Sequence, residues 1–169
     1  MLLTGAPGSG KTTLVKRLIK ELGIDADGFF TSEIREKGKR VGFWVEDFKG
    51  EKELLASVDF PSKLKVGKYR VNLLGFEKIA LRAVERALSQ AQLVVIDEIG
   101  KMELFSEDFK KLILEVFDSN KPVLATIMKK SHPFADKIKS RSDVVLFEIK
   151  PKERDEVYEN IKAILKNLI

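Results

Sequence analysis

Met1-Leu2-Leu3-Thr4-Gly5-Ala6-Pro7-Gly8-Ser9-Gly10-Lys11-Thr12-Thr13 opens the chain, and its reading decides the fold. Residues 5–12 match G-x-x-x-x-G-K-[ST] at every defined position. An apolar run too short for a helix precedes the glycines, and an amphipathic run carrying Leu14, Leu18 and Ile19 follows them as far as Gly23. The context is therefore strand, loop, helix. Gly5, Gly8 and Gly10 let the backbone curl until successive N–H groups converge on phosphate oxygens, reinforced by the positive end of the helix. Gly5, Ala6, Pro7, Gly8, Ser9, Gly10, Lys11, Thr12 and Thr13 form the candidate nucleotide-binding loop. Lys11 is expected to bridge the β- and γ-phosphates and neutralise charge as their bond breaks, and Thr12 to place its hydroxyl on Mg²⁺.

A second apolar run, Leu93-Val94-Val95-Ile96, ends in Asp97-Glu98 and continues into Ile99-Gly100. A strand buried on both faces would carry these acids to the carboxyl edge of the sheet, on a strand neighbouring the loop, where open α/β sheets bind ligands. Residues 93–100 are thus expected to border the nucleotide. Asp97 is placed to hold the magnesium shell with Thr12. Glu98 points the other way by strand alternation and suits the general base for an attacking water. The adjacency favours hydrolysis over transfer, because a kinase must keep water from the γ-phosphate.

Two more continuous apolar runs, Val123 to Ile127 and Val144 to Ile149, read as parallel central strands. Helical periodicity appears at Phe76, Ile79, Ala80, Ala83, Val84, Ala87 and Leu88. It recurs at Phe109, Leu112, Ile113, Val116 and Phe117 behind a Ser106 cap, and at Val157, Ile161, Leu165 and Leu168 from Pro151 onward. Between Gly28 and Val58, Lys37-Gly38-Lys39 and Lys49-Gly50-Glu51 separate partly alternating segments, as an antiparallel meander at a sheet edge requires. The expected fold is α/β: one domain over residues 1–169, a mainly parallel central sheet with helices on both faces, and the meander at one edge.

The composition agrees. With 169 residues and 44% hydrophobic side chains the chain can bury a core unaided. It has no cysteine, which removes disulfides, thiolate zinc sites and cysteine nucleophiles and fits a reducing, cytoplasmic setting. No apolar run reaches the roughly 18 residues of a membrane span. The net charge of +5 is spread among interleaved acids rather than gathered in a stripe, so nucleoside triphosphates account for it more economically than nucleic acid.

Secondary candidates surround these motifs. Thr126, at the end of one apolar run, suits a polar sensor of the γ-phosphate or the water; Lys101 could reach phosphate; Arg35 and Arg40, flanking a turn, could supply transition-state charge. His132 before Pro133 reads as a helix start, and Trp44 and Phe43 need no ligand to explain them on an alternating strand.

These residues resemble the small thermophile nucleoside-triphosphatase family, whose relatives include the vertebrate cancer-related nucleoside triphosphatase. Beyond the loop, the likeness rests on Gly28-Phe29-Phe30-Thr31-Ser32-Glu33-Ile34-Arg35, Arg40-Val41-Gly42-Phe43, Val66-Gly67-Lys68-Tyr69-Arg70-Val71 and, above all, residues 96–106, Ile96-Asp97-Glu98-Ile99-Gly100-Lys101-Met102-Glu103-Leu104-Phe105-Ser106. The resemblance implies a monomeric RecA-like P-loop domain, Mg²⁺-dependent hydrolysis of ATP, GTP and other ribonucleoside triphosphates to diphosphate and phosphate, and nucleotide contacts at residues 5–12 and 93–100. Two rivals compete with it: a nucleotide or nucleoside kinase, which shares the loop, and a nucleic-acid-stimulated ATPase.

Overall fold

The computed structural model describes all of residues 1–169. β1 (Leu2–Thr4) leads through the glycine loop into α1 (Lys11–Leu22), which ends on Gly23 at φ 59°. β2 (Ala26–Glu36), β3 (Lys39–Asp47) and β4 (Lys52–Ser57) follow as hairpin-linked strands, then β5 (Lys65–Val66) and β6 (Tyr69–Val71). α2 (Leu73–Gln90), β7 (Leu93–Ile99), α3 (Glu107–Asp118), β8 (Val123–Ile127), α4 (Pro133–Lys139), β9 (Leu146–Glu148) and α5 (Arg154–Leu168) complete the chain. Short 3-10 turns, Glu103–Phe105 and Pro151–Glu153, precede α3 and α5.

All nine strands join one sheet in the order β5-β6-β4-β3-β2-β7-β8-β1-β9. From β2 to β9 the pairings are parallel; from β2 to β5 they are antiparallel. Alternate side chains of the parallel strands feed two cores. On β7, Val94 and Ile96 join the cluster under α2 and α3, whereas Leu93 and Val95 join the one under α1 and α5. Each such side chain contributes about 1.5–3 kcal/mol when taken from water, which is why both alternating positions must be apolar. Helix ends follow local chemistry. The Ser106 hydroxyl oxygen accepts from Phe109 N–H at 3.0 Å, Asn72 Oδ1 accepts from Gly75 N–H at 3.1 Å, and His132 Nδ1 accepts from Phe134 N–H at 3.1 Å to start α4.

Four expectations are corrected. The acid-bearing β7 is not next to β1, because β8 lies between them. The run from Val144 to Ile149 supplies an edge strand, not a central one: Val145 and Leu146 are 47% and 42% exposed, since β9 pairs only with β1. β2 belongs to both halves of the sheet, running parallel to β7 at Ala26–Phe29 before its outer part turns back into β3. Pro151 opens a 3-10 turn, and the α-helix starts at Arg154. That helix buries Tyr158 along with Ile161 and Leu165 and leaves terminal Leu168 outside.

Candidate active site

β1, β7, β8 and β9 all run in the same direction, so their carboxyl ends deliver the glycine loop, Asp97-Glu98, Thr126 and the Ile149–Arg154 connection to one edge. Within the loop, Gly8 and Gly10 take positive φ of 78° and 91°, a region closed to side chains with a β-carbon except at a cost. Ser9 is buried, and its hydroxyl has no protein partner. Ala6, Pro7, Gly8 and Thr13 are exposed. Lys11 lies over the loop: Nζ donates to the Gly5 carbonyl at 2.8 Å and stands 3.6 Å from Glu98 Oε2.

Asp97 is 3% exposed and held by two hydroxyls. Thr12 Oγ1 donates to Oδ2 at 2.6 Å, and Thr126 Oγ1 donates to Oδ1 at 2.7 Å. Burial pushes its pKa above the ordinary carboxylate range, while these hydrogen bonds and the charge of Lys11 oppose the rise. The interposed β8 therefore does chemical work: its Thr126 spans the gap that would otherwise leave one oxygen of Asp97 unpaired.

The ladder between β7 and β8 slips between Ile96 and Ile99, and the Asp97–Glu98 peptide bond is cis. Glu98, expected by strand alternation to point away from Asp97, meets Lys11. Burial raises the Glu98 pKa and the charge of Asp97 adds to it, against the pull of Lys11. Behind Glu98 sits Glu103, a residue the sequence reading passed over. It is buried, one of its carboxyl oxygens has no partner, and its pKa is well above normal, first through burial and then through the charge of Glu98. A β-carbon on Gly100 would lie 2.8 Å from Glu98 Oε1 and 3.3 Å from Glu103 Oε1, so only glycine lets both carboxyls close in. The signal that could have found Glu103 was its place in a tight turn five residues beyond Glu98, too short a link to leave the site.

Other sequence candidates divide. Leu93, Val94, Val95, Ile96 and Ile99 are at most 1% exposed and packed in the two cores, where they aim Asp97 and Glu98. Arg35 bonds to Glu33 and the Gly38 carbonyl within its own hairpin, and Arg40 to Tyr69 and Glu33. Neither is brought to the glycine loop by these bonds. Lys101 is exposed in the turn after β7.

Both hydroxyl and carboxylate of the Thr12–Asp97 pair are hard oxygen donors, which fits Mg²⁺, an ion that takes one or two protein oxygens and completes its shell with phosphate and water.

Known proteins share this fold. Residues 1–162 match the model of the family described as NTPase. The chain is 49% identical over 166 residues to nucleoside-triphosphatase THEP1 of Thermotoga maritima, covering 98% of this chain and 95% of that protein. The crystal structure of THEP1 from the hyperthermophile Aquifex aeolicus superposes with a TM-score of 0.90 at 41% identity, over 98% of each chain. The solution structure of a human cancer-related nucleoside triphosphatase gives 0.83 at 34% identity, over 99% of this chain and 97% of that one. With nearly its whole length matched, the chain belongs to this NTPase family.

Proposed function

We propose that this chain, a single RecA-like P-loop domain over residues 1–169, hydrolyses the β–γ bond of ATP, GTP and other nucleoside triphosphates with Mg²⁺. It would act as a monomer in the cytoplasm. The observation that carries the reading is the 3.6 Å approach of Glu98 Oε2 to Lys11 Nζ, which puts a carboxylate base beside the cation that grips the γ-phosphate.

The loop N–H groups and the start of α1 hold the phosphates. Lys11 leaves the Gly5 carbonyl for the β- and γ-phosphate oxygens. Thr12 and Asp97 would hold the metal, with Thr126 keeping Asp97 in place; magnesium, when bound, would supply charge neutralisation at the phosphate oxygens. Glu98 accepts a proton from water as the water oxygen bonds to the γ-phosphorus. The β–γ phosphoanhydride bond then breaks, and nucleoside diphosphate leaves with the bridging oxygen. Burial and the Asp97 charge make Glu98 a stronger base than an exposed carboxylate, while the charge of Lys11 opposes the rise.

Phosphate release from ATP alone tests this. Turnover without an acceptor, lowered at least about 100-fold in Glu98→Gln, supports it. Phosphate transfer that requires an acceptor nucleotide would point to a kinase, and release that requires RNA or DNA would point to a nucleic-acid-stimulated ATPase.

A further inference from the structure

The connection from β9 to α5 lies along the glycine loop. Ile149 N–H donates to the Thr4 carbonyl at 2.7 Å, and a β-carbon on Gly5 would lie 2.7 Å from the Ile149 carbonyl oxygen. At the other end of this connection, a β-carbon on Gly10 would lie 3.1 Å from Arg154 Cζ, 3.2 Å from Nη2 and 3.4 Å from Nε. Three atoms of one guanidinium at nearly equal distance mean that its plane lies face-on to Gly10. One face covers the loop, and the exposed side chain leaves the other open to solvent.

Nothing in the folded chain explains this placement. Arg17, Arg35, Arg40, Arg70, Arg86 and Arg141 each find a carboxylate, hydroxyl or carbonyl acceptor. Arg154, like Arg82 on α2, has none; unlike Arg82 it lies flat on the glycine loop, and it starts α5, where the helix dipole disfavours a cation. Sheet order says which end of a nucleotide it meets. Glu98 and Asp97 mark the γ-phosphate end on β7, β8 and β1 come next, and Arg154 follows β9 on the far side of β1. A triphosphate with its γ-phosphate at Lys11 and Glu98 runs its nucleoside towards Arg154.

We propose that Arg154 is the nucleobase contact of this site: its guanidinium, backed by Gly10, stacks on the face of the base. Cation–π stacking reads no hydrogen-bond pattern, so it accepts any base and grips the larger purines more firmly than pyrimidines. The inference rests on the nucleotide-site reading above.

The test measures kcat and KM for ATP, GTP, CTP and UTP in wild type, Arg154→Ala, Arg154→Lys and Lys11→Ala, with inorganic tripolyphosphate as a competitive inhibitor. Arg154→Ala should raise KM roughly tenfold for ATP and GTP, less for CTP and UTP, with kcat and tripolyphosphate inhibition unchanged. Arg154→Lys should not rescue, because an ammonium lacks the planar face. An unchanged purine KM overturns the inference, as does tripolyphosphate inhibition weakened in step with ATP, which would place Arg154 on the phosphates. If Lys11→Ala retains full turnover, the nucleotide-site reading falls as well; if Lys11→Ala is dead and Arg154→Ala is normal, only the stacking fails.

Discussion

Thr126 donates its hydroxyl hydrogen to Asp97 Oδ1 at 2.7 Å, a bond between two buried side chains on adjacent parallel strands, β8 and β7. Replacing the hydroxyl by a methyl keeps the volume and removes the donor. Thr126→Val leaves one oxygen of a buried carboxylate without its partner, which costs about 1–3 kcal/mol. The freed carboxylate would also lose its aim at the metal it is proposed to hold. Thr126→Val should lower the melting temperature by several degrees and shift the Mg²⁺ dependence of phosphate release to higher concentration. A variant with unchanged metal dependence would leave Thr126 as packing alone.

Gly100 is the closest constraint on Glu98 that a single methyl group can probe. In Gly100→Ala the new β-carbon would meet Glu98 Oε1 at 2.8 Å, and Glu98 must swing away from the water it is proposed to activate. A displacement of about 1 Å at a catalytic base costs on the order of 100-fold. The expected result is a large fall in kcat with nucleotide affinity nearly unchanged, measured by turnover and by titration with a non-hydrolysable triphosphate. Loss of affinity as large as the loss of kcat would show that the whole loop had moved.

Much of this site was legible because it is written in contiguous residues. The glycine loop with its flanking strand and helix, and the run from Leu93 to Asp97, each carry their own context, and backbone hydrogen bonding leaves such runs few alternatives. What escaped the reading is set by tertiary placement. Two- and three-residue strands such as Lys65–Val66 and Tyr69–Val71 have no period to detect. The insertion of β8 between β1 and β7 is a choice of sheet order that no local pattern encodes, and with it went the meaning of Thr126 as a brace for Asp97. Arg154 lies 144 positions from Gly10 in sequence and meets it only because β9 pairs with β1.

Glu103 should give the protein a measurable pH dependence of stability. Its pKa in the folded chain is raised, first by burial and then by the charges of Glu98 and Asp97. The unfolded chain therefore releases this proton at lower pH than the folded one. Stability from this group is complete below the ordinary glutamate range of about 4.3 and is lost as pH rises through the raised folded value. Glu103→Gln cannot ionise. Melting temperatures measured between pH 5 and pH 8 should fall more steeply in wild type than in the variant, and the variant should be the more stable at pH 8. Parallel curves would mean that Glu103 titrates normally.

At the opposite end of the parallel strands, Arg86 holds the start of β2. Its Nε and Nη2 donate to Asp27 at 2.5 and 2.9 Å, and Nη2 stands 3.6 Å from Asp47, with Asp27 14% and Asp47 4% exposed. Arg86→Ala would strand two largely buried carboxylates, a loss of about 3 kcal/mol or more. For a chain of this length that corresponds to a melting temperature roughly 6–12 °C lower. Asp27 pairs with Val94, near the start of β7, whereas the proposed reacting groups lie at its far end. Turnover per folded molecule at 25 °C should therefore be unchanged. A fall in kcat without a fall in melting temperature would mean that Arg86 acts on the reaction, and that the two ends of the sheet are coupled through β7.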